Sequence, residues 1–342
     1  MNHGDSMDSG QQSNRKKTQL YGILIVLLAS GLFSSLGILT NFAYEAGMSP
    51  VAFGAWRETI GAVTMIILLL CGIGRGASKG RNPFSALPKR QLRNLCFAAV
   101  AFMTYSLAIF YAFVHLTVSL AFLLFYIYPA IVTIISAVTG RELLNRSKFI
   151  ALVFALGGST LAVVGQMFGE SLRIDWIGVV LALLAALGIG TYFMIGRSGY
   201  PQIPSPYATT VFLTAGAFVF SIIGFAFGDG ESLLQPFRDS SVWTILIFAG
   251  VIAAAIPTML LLIGIRMIGA SKASIMAIFE PIVGSVLAAV FLGQRLYAIQ
   301  MVGGVLILSA AYILQRHSDP IPAHPDHPPL DSSHSSTPTI AE

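Results

Sequence analysis

Long apolar runs, broken by short polar stretches, dominate this chain. From Leu20 no charge appears until Glu45, and comparable runs recur as far as Gln315. A hydrocarbon core roughly 30 Å thick takes about 20 helical residues at 1.5 Å each. Inside it every backbone N–H and C=O must find its partner within the protein, so each run predicts a helix. The pattern predicts ten spans, at 20–40, 52–73, 94–114, 118–139, 149–168, 176–196, 207–227, 243–265, 271–292 and 297–315. The first run is longer than a signal-peptide core and reads as an uncleaved span.

Two divisions need argument. Asn94 to Gly140 is an uncharged run of 47 residues. As one helix it would extend roughly 70 Å, so it must turn back, and His115–Ser119 is its most polar place. Glu280 sits inside the ninth run. Treating it as a loop residue would leave 282–292 too short to cross, so the run is kept whole with Glu280 facing the interior.

Composition agrees. Of 342 residues 55% are hydrophobic and only 10% charged, with a mean hydropathy of +0.78, against roughly 25% charged in soluble domains. The net charge of +5 does not point to nucleic acid, because the basic residues sit in short loops beside the spans. With the N-terminus inside, 16 of the 20 Lys and Arg fall on the cytoplasmic side. That bias predicts cytoplasmic termini, and the reading of no cleavable signal or targeting tail favours the plasma membrane of a bacterium. The tail from His317 onward, rich in Pro, Ser and irregularly spaced His, cannot bury a core and reads as solvated and disordered. Cys71 and Cys96 build no disulfide framework.

An internal repeat is visible. The stretch from Val118 to Leu143 resembles that from Ala270 to Leu296, with Pro129 on Pro281, Ser119 on Ser271, Ala121 on Ala273 and Glu142 on Gln294. The offset of 152 residues makes two units of five spans. Five is odd, so the second unit enters the membrane inverted, the pattern of carriers that expose a central site to each side in turn. The predicted class is all-α, a polytopic membrane protein with ten transmembrane helices in two inverted five-helix repeats. Its parts are a tail (1–19), the repeats (20–168 and 169–315) and a second tail (316–342).

These features resemble the EamA family of the drug/metabolite transporter superfamily over about Tyr21 to Gln315. The resemblance rests on Pro129 with Glu142 thirteen residues later, on Glu280–Pro281 followed by Leu-Gly-Gln-Arg at 292–295, and on Ala-Trp-Arg at 55–57. Gln294 departs from the pattern, where a glutamate is common. The resemblance implies a ten-helix carrier with a central cavity between its halves, lined mostly by spans one, three, four, six, eight and nine. It implies small metabolites as cargo, often amino acids or related compounds.

Glu280 is the sharpest candidate, since a carboxylate deep in a span must face protein or water. It could exchange a proton, pair with a cationic group, or simply hydrogen-bond backbone opened by Pro281. Pro129, Pro257 and Pro281 lie within spans, where each opens or kinks the helix. Arg57, near the outer end of span two, could snorkel, pair with an acid or meet an anionic group, whereas Glu58 reads as interfacial. Tyr105, Tyr126, Tyr128 and Tyr192 offer rings and hydroxyls, and Tyr128 is the repeat counterpart of Glu280. His115 reads as interfacial, and the glycines at 157, 158, 165, 284, 303 and 304 as helix contacts. No nucleotide loop, metal motif or catalytic triad is present, so no enzyme activity, cofactor or metal is expected. The expected partners are a small-molecule substrate and membrane lipid, with proton coupling and a homodimer left open. A lipid flippase and a non-transporting scaffold or sensor are the competing functions.

Overall fold

The computed structural model describes residues 4–73, 84, 87–166, 175–227, 230–293 and 297–316. Ten helices in it are long and apolar enough to cross a membrane. Spans one to five are Lys17–Glu45, Pro50–Leu70, Lys89–His115, Leu120–Val138 and Arg146–Val164, and spans six to ten are Trp176–Ser198, Ser205–Ala226, Val242–Ile268, Ala270–Phe291 and Ala298–Arg316. The turn between spans three and four falls at His115, as its polarity predicted. The first helix begins at Gly4, so polar residues of the 1–19 tail are continuous with span one. The histidine-rich tail, Gly165's surroundings, Gln294 and Arg295 lie outside the residues whose side chains are described.

Local chemistry sets the helix ends. Ser49 caps span two by accepting from Ala52 N–H at 3.1 Å, with Pro50 at the first helical position, where its missing N–H costs nothing. Asp175 caps span six the same way through Ile177 N–H. Asp175 also meets His115 Nδ1 at 2.7 Å, which ties the ends of spans three and six together. Between spans seven and eight, exposed Glu231 pairs with Arg238, whose hydrogen bond and charge hold the carboxyl below its usual range.

The repeats interleave. The four most extensive helix contacts join spans five and ten, three and six, two and seven, and one and eight. Each joins one repeat to the other. Exchanging the repeats maps the first and third contacts onto themselves and swaps the second with the fourth, as a pseudo-two-fold axis requires. Close approach depends on small residues, because lipid provides little drive for helices to associate. A Cβ on Gly158 or Gly303 would lie 2.5 Å from the other's carbonyl oxygen, whereas Gly157 has open space. At Gly188 a Cβ would sit 2.8 Å from Tyr105 N and 2.9 Å from Ala101 O, so span six lies directly on the backbone of span three.

Candidate functional site

Spans four and nine are each two half-helices. Span four comprises Val118–Phe125 and Tyr128–Val138, and span nine Ala270–Ala277 and Glu280–Leu292. The breaks, at 126–127 and 278–279, are related by the repeat offset. Tyr128 and Glu280 therefore hold equivalent positions, each opening a second half-helix with a proline next to it. Pro129 and Pro281 open these spans outright rather than bending them.

A proline has no N–H for the carbonyl four residues earlier. For Pro129 that carbonyl belongs to Phe125, and for Pro281 to Ala277. Both residues line a cavity of about 30 Å³ that also takes in Glu280, Tyr105, Tyr128 and Tyr192. Thr258 and Ser30 add hydroxyls to the same wall. The hydroxyls of Tyr192 and Thr258 are buried without a hydrogen-bond partner. The carboxyl of Glu280 has no hydrogen-bond or ion-pair partner among the described residues, and Glu280 is only partly buried. The space holds about two waters, too few for a metabolite in this conformation.

Tyr126 is buried beside the cavity, stacked on Phe122 at 5.7 Å, and does not line it. With Tyr105 and Tyr128 it remains within Coulombic reach of Glu280. Thus five of the six candidates expected to bind or couple fall in or around one chamber, while Arg57 stands next to it.

Arg57 does not snorkel. It is 3% exposed, its Nη1 donates to Glu58 Oε1 at 2.6 Å, and its Nη2 donates to Ala253 O at 2.7 Å. Ala253 is four residues before Pro257 and lies in a π-helical segment, Val251–Ala255. The carbonyl that Pro257 cannot serve is thus bonded to Arg57 rather than presented to a ligand. Glu58 is no interfacial residue: it is fully buried, with Ser106 Oγ 3.5 Å from Oε1. Gly216 of span seven, lacking a Cβ, makes room for its carboxyl. Two adjacent charges in an otherwise uncharged run of 21 residues were the signal for an interior pair.

One half of the site is tied by a cluster of contacts between the repeats. The second half of span four packs on the first half of span nine. Thr133 Oγ1 meets Ser271 Oγ at 3.0 Å, and Tyr128 Oη reaches Ser274 O at 3.5 Å. Beyond them Glu142 accepts from Arg197 at 2.5 Å and from Ser271 N–H at 3.4 Å, with Lys148 Nζ 3.5 Å away. This cluster seals the face that carries the loops after spans two and four. A larger, apolar cavity of about 280 Å³ around Trp56 and Phe237 shares no residue with the central one.

Ten helices in two inverted repeats around a small, largely aromatic chamber define a multi-pass membrane protein. The chain belongs to the EamA-like transporter family, whose model matches residues 20–164 and 176–316, once per repeat. It is 25% identical over 295 residues to YcbK, an uncharacterized transporter of Bacillus subtilis (strain 168), covering 86% of this chain and 92% of that protein. Over 301 residues it is 24% identical to an uncharacterized transporter of Archaeoglobus fulgidus, covering 86% and 97%. A crystal structure of a protein 19% identical has the same fold, with a TM-score of 0.70 over 85% of this chain and 95% of that one.

Proposed function

We propose that this protein is a secondary carrier that moves a small metabolite, of amino-acid size or similar, by alternating access, with substrate bound between Tyr128 and Glu280. The observation that carries the reading is a pair of symmetry-related broken spans, four and nine, that meet at one central chamber. The second half of span four and the first half of span nine are clamped by Thr133, Ser271 and Glu142. Releasing that clamp is the step by which a rocking cycle would open the chamber to that face. The clamped face carries most of the basic loops, and we place it in the cytoplasm of a plasma membrane. Glu280, lining a chamber too small for a hydrated ion, is the group suited to couple a proton to transport.

The test is flux in proteoliposomes with labelled amino acids and related metabolites, with and without a proton gradient. Saturable, gradient-dependent uptake that falls at least about tenfold in Glu280→Gln is the expected result. Saturable uptake unchanged in that variant removes Glu280 from coupling, and ion conductance without saturation replaces the carrier with a channel.

A further inference from the structure

The chamber around Glu280 is walled by a closed circuit of six aromatic rings. Ring centroids are 5.5 Å apart from Tyr105 to Phe125, 5.1 Å from Phe125 to Tyr128 and 5.6 Å from Tyr128 to Phe193. The circuit continues at 6.1 Å from Phe193 to Tyr192, 5.6 Å from Tyr192 to Phe102 and 5.8 Å from Phe102 back to Tyr105. All six rings line the cavity. They come from spans three, four and six, and Glu280 enters from span nine.

A wall of rings is apolar but not indifferent to charge. The negative π-face of a ring attracts cations, most strongly where water is excluded, and it offers an anion no hydrogen bond. Placing one carboxyl in such a wall selects for positive charge twice over.

Charge balance points the same way. Facing Glu280 are Arg57 from span two, Tyr105 from span three, Tyr126 and Tyr128 from span four, and Tyr192 from span six across the cavity. The tyrosines are neutral hydroxyls, and Arg57 stays charged at any working pH. Its Nη1 and Nη2 are already committed to Glu58 and the Ala253 carbonyl, so Arg57 and Glu58 form a neutral unit. Among the described residues Glu280 is the one carboxyl lining the cavity, and it has no hydrogen-bond or ion-pair partner. An unpaired carboxylate inside a membrane protein costs several kcal/mol. The chamber therefore favours Glu280 either protonated or beside a cation.

We propose that the chamber binds the ammonium group of an organic amine, and that each amine entering displaces one proton from Glu280. This rests on the carrier reading above and adds to it the substrate class and the exchanged ion. The glutamic acid O–H breaks, its proton leaves to water on the open side, and the ammonium becomes the counter-charge. No other bond changes and no electrons are transferred. A zwitterionic amino acid suits the chamber less well, because no cationic side chain lines it to receive a carboxylate. The unpartnered hydroxyls of Tyr192 and Thr258 are left for a polar substituent on the amine.

The test uses full-length protein in nanodiscs and probes matched in shape but not in charge: choline with its uncharged carbon isostere, and phenethylamine with phenylethanol. Calorimetry gives affinity, a pH dye in weak buffer counts protons, and infrared difference spectra report a protonated carboxyl. The cationic probes should bind at least about tenfold tighter than their neutral partners. Each should release about one proton per protein and erase the protonated-carboxyl band. Glu280→Gln should lose the band, the release and the charge preference. Tyr128→Phe should keep the preference and Tyr128→Leu should weaken it, which separates the ring from the hydroxyl. Equal binding of charged and neutral probes, binding without proton release, or no binding of either cation overturns the assignment. Saturable metabolite flux persisting in that case leaves the carrier reading standing, whereas absence of all saturable flux removes that reading as well.

Discussion

Arg57 and Glu58 show how a single side chain's neighbourhood decides its role. An unpaired charge inside a membrane protein costs several kcal/mol, and a bonded pair costs far less. Here the guanidinium satisfies both a carboxylate and the carbonyl that Pro257 leaves unserved. Removing one partner should therefore hurt more than removing both. Arg57→Leu or Glu58→Leu alone should lower stability by about 3–5 kcal/mol, and the double variant by clearly less. Chemical-denaturation midpoints in detergent for the two singles and the double would check this, and additive losses would refute the pairing argument. Glu280 was legible in the sequence because no other acid interrupts its run. Glu58 was less so, because about two turns from a predicted span end it reads equally well as interfacial. Only the Cβ-less surface of Gly216, far along the chain, shows that the carboxyl has a place inside.

Among the elements, the spans themselves were written in the apolar pattern, and all ten fall close to where that pattern puts them. What the pattern could not give is the form of each interruption. Proline in a span can bend a helix, open it, or follow a π segment, and the three prolines divide between the last two outcomes. Pro129 and Pro281 begin new half-helices, while Pro257 follows a wide turn whose spare carbonyl accepts from a distant arginine. The aromatic circuit was equally hidden. Four of its members are i, i+3 neighbours, Phe102 with Tyr105 and Phe125 with Tyr128, but ordinary core packing has the same spacing. Span six completes the wall only by lying directly against span three at Gly188. A methyl there would meet backbone, which cannot swing aside. Gly188→Leu should force the two helices apart, lower stability by about 1–3 kcal/mol and weaken probe binding through the displaced Tyr105. Gly157→Leu, on an open face, should do neither. Thermal unfolding and ligand affinity of the two variants side by side would settle the comparison.

For the molecule as a whole, the inverted repeat could be read from the odd number of spans per unit, but not the way the units interlock. Similarity between two stretches of sequence says nothing about which helices touch. The contacts show that spans of one repeat pack chiefly on spans of the other, so neither repeat moves as a detached block. Motion must instead run through the broken spans, where half-helices can tilt without losing an unbroken ladder of hydrogen bonds. The clamp at Glu142 then governs how often the sealed face opens. Glu142→Gln, which copies the residue at the related position 294, should weaken its grip on Arg197 and Ser271. In a background without Cys71 and Cys96, a cysteine at Thr133 should become several-fold more reactive to an impermeant maleimide from that face. Unchanged labelling would mean that Glu142 only braces the loop.

The difference between Glu142 and its counterpart Gln294 has a consequence for rates. A symmetric carrier would dwell equally in its two orientations and saturate at the same concentration from either compartment. In the proposed cycle, a charged clamp at Glu142 and an amide at the related sequence position 294 would leave the unloaded protein presenting its chamber mostly away from the clamp. Reorientation back toward the clamp would then be the slow leg of each turnover. The half-saturating concentration should then be lower for solute arriving from the unclamped compartment, so the protein rectifies flow kinetically while leaving the final equilibrium to the gradients on either side.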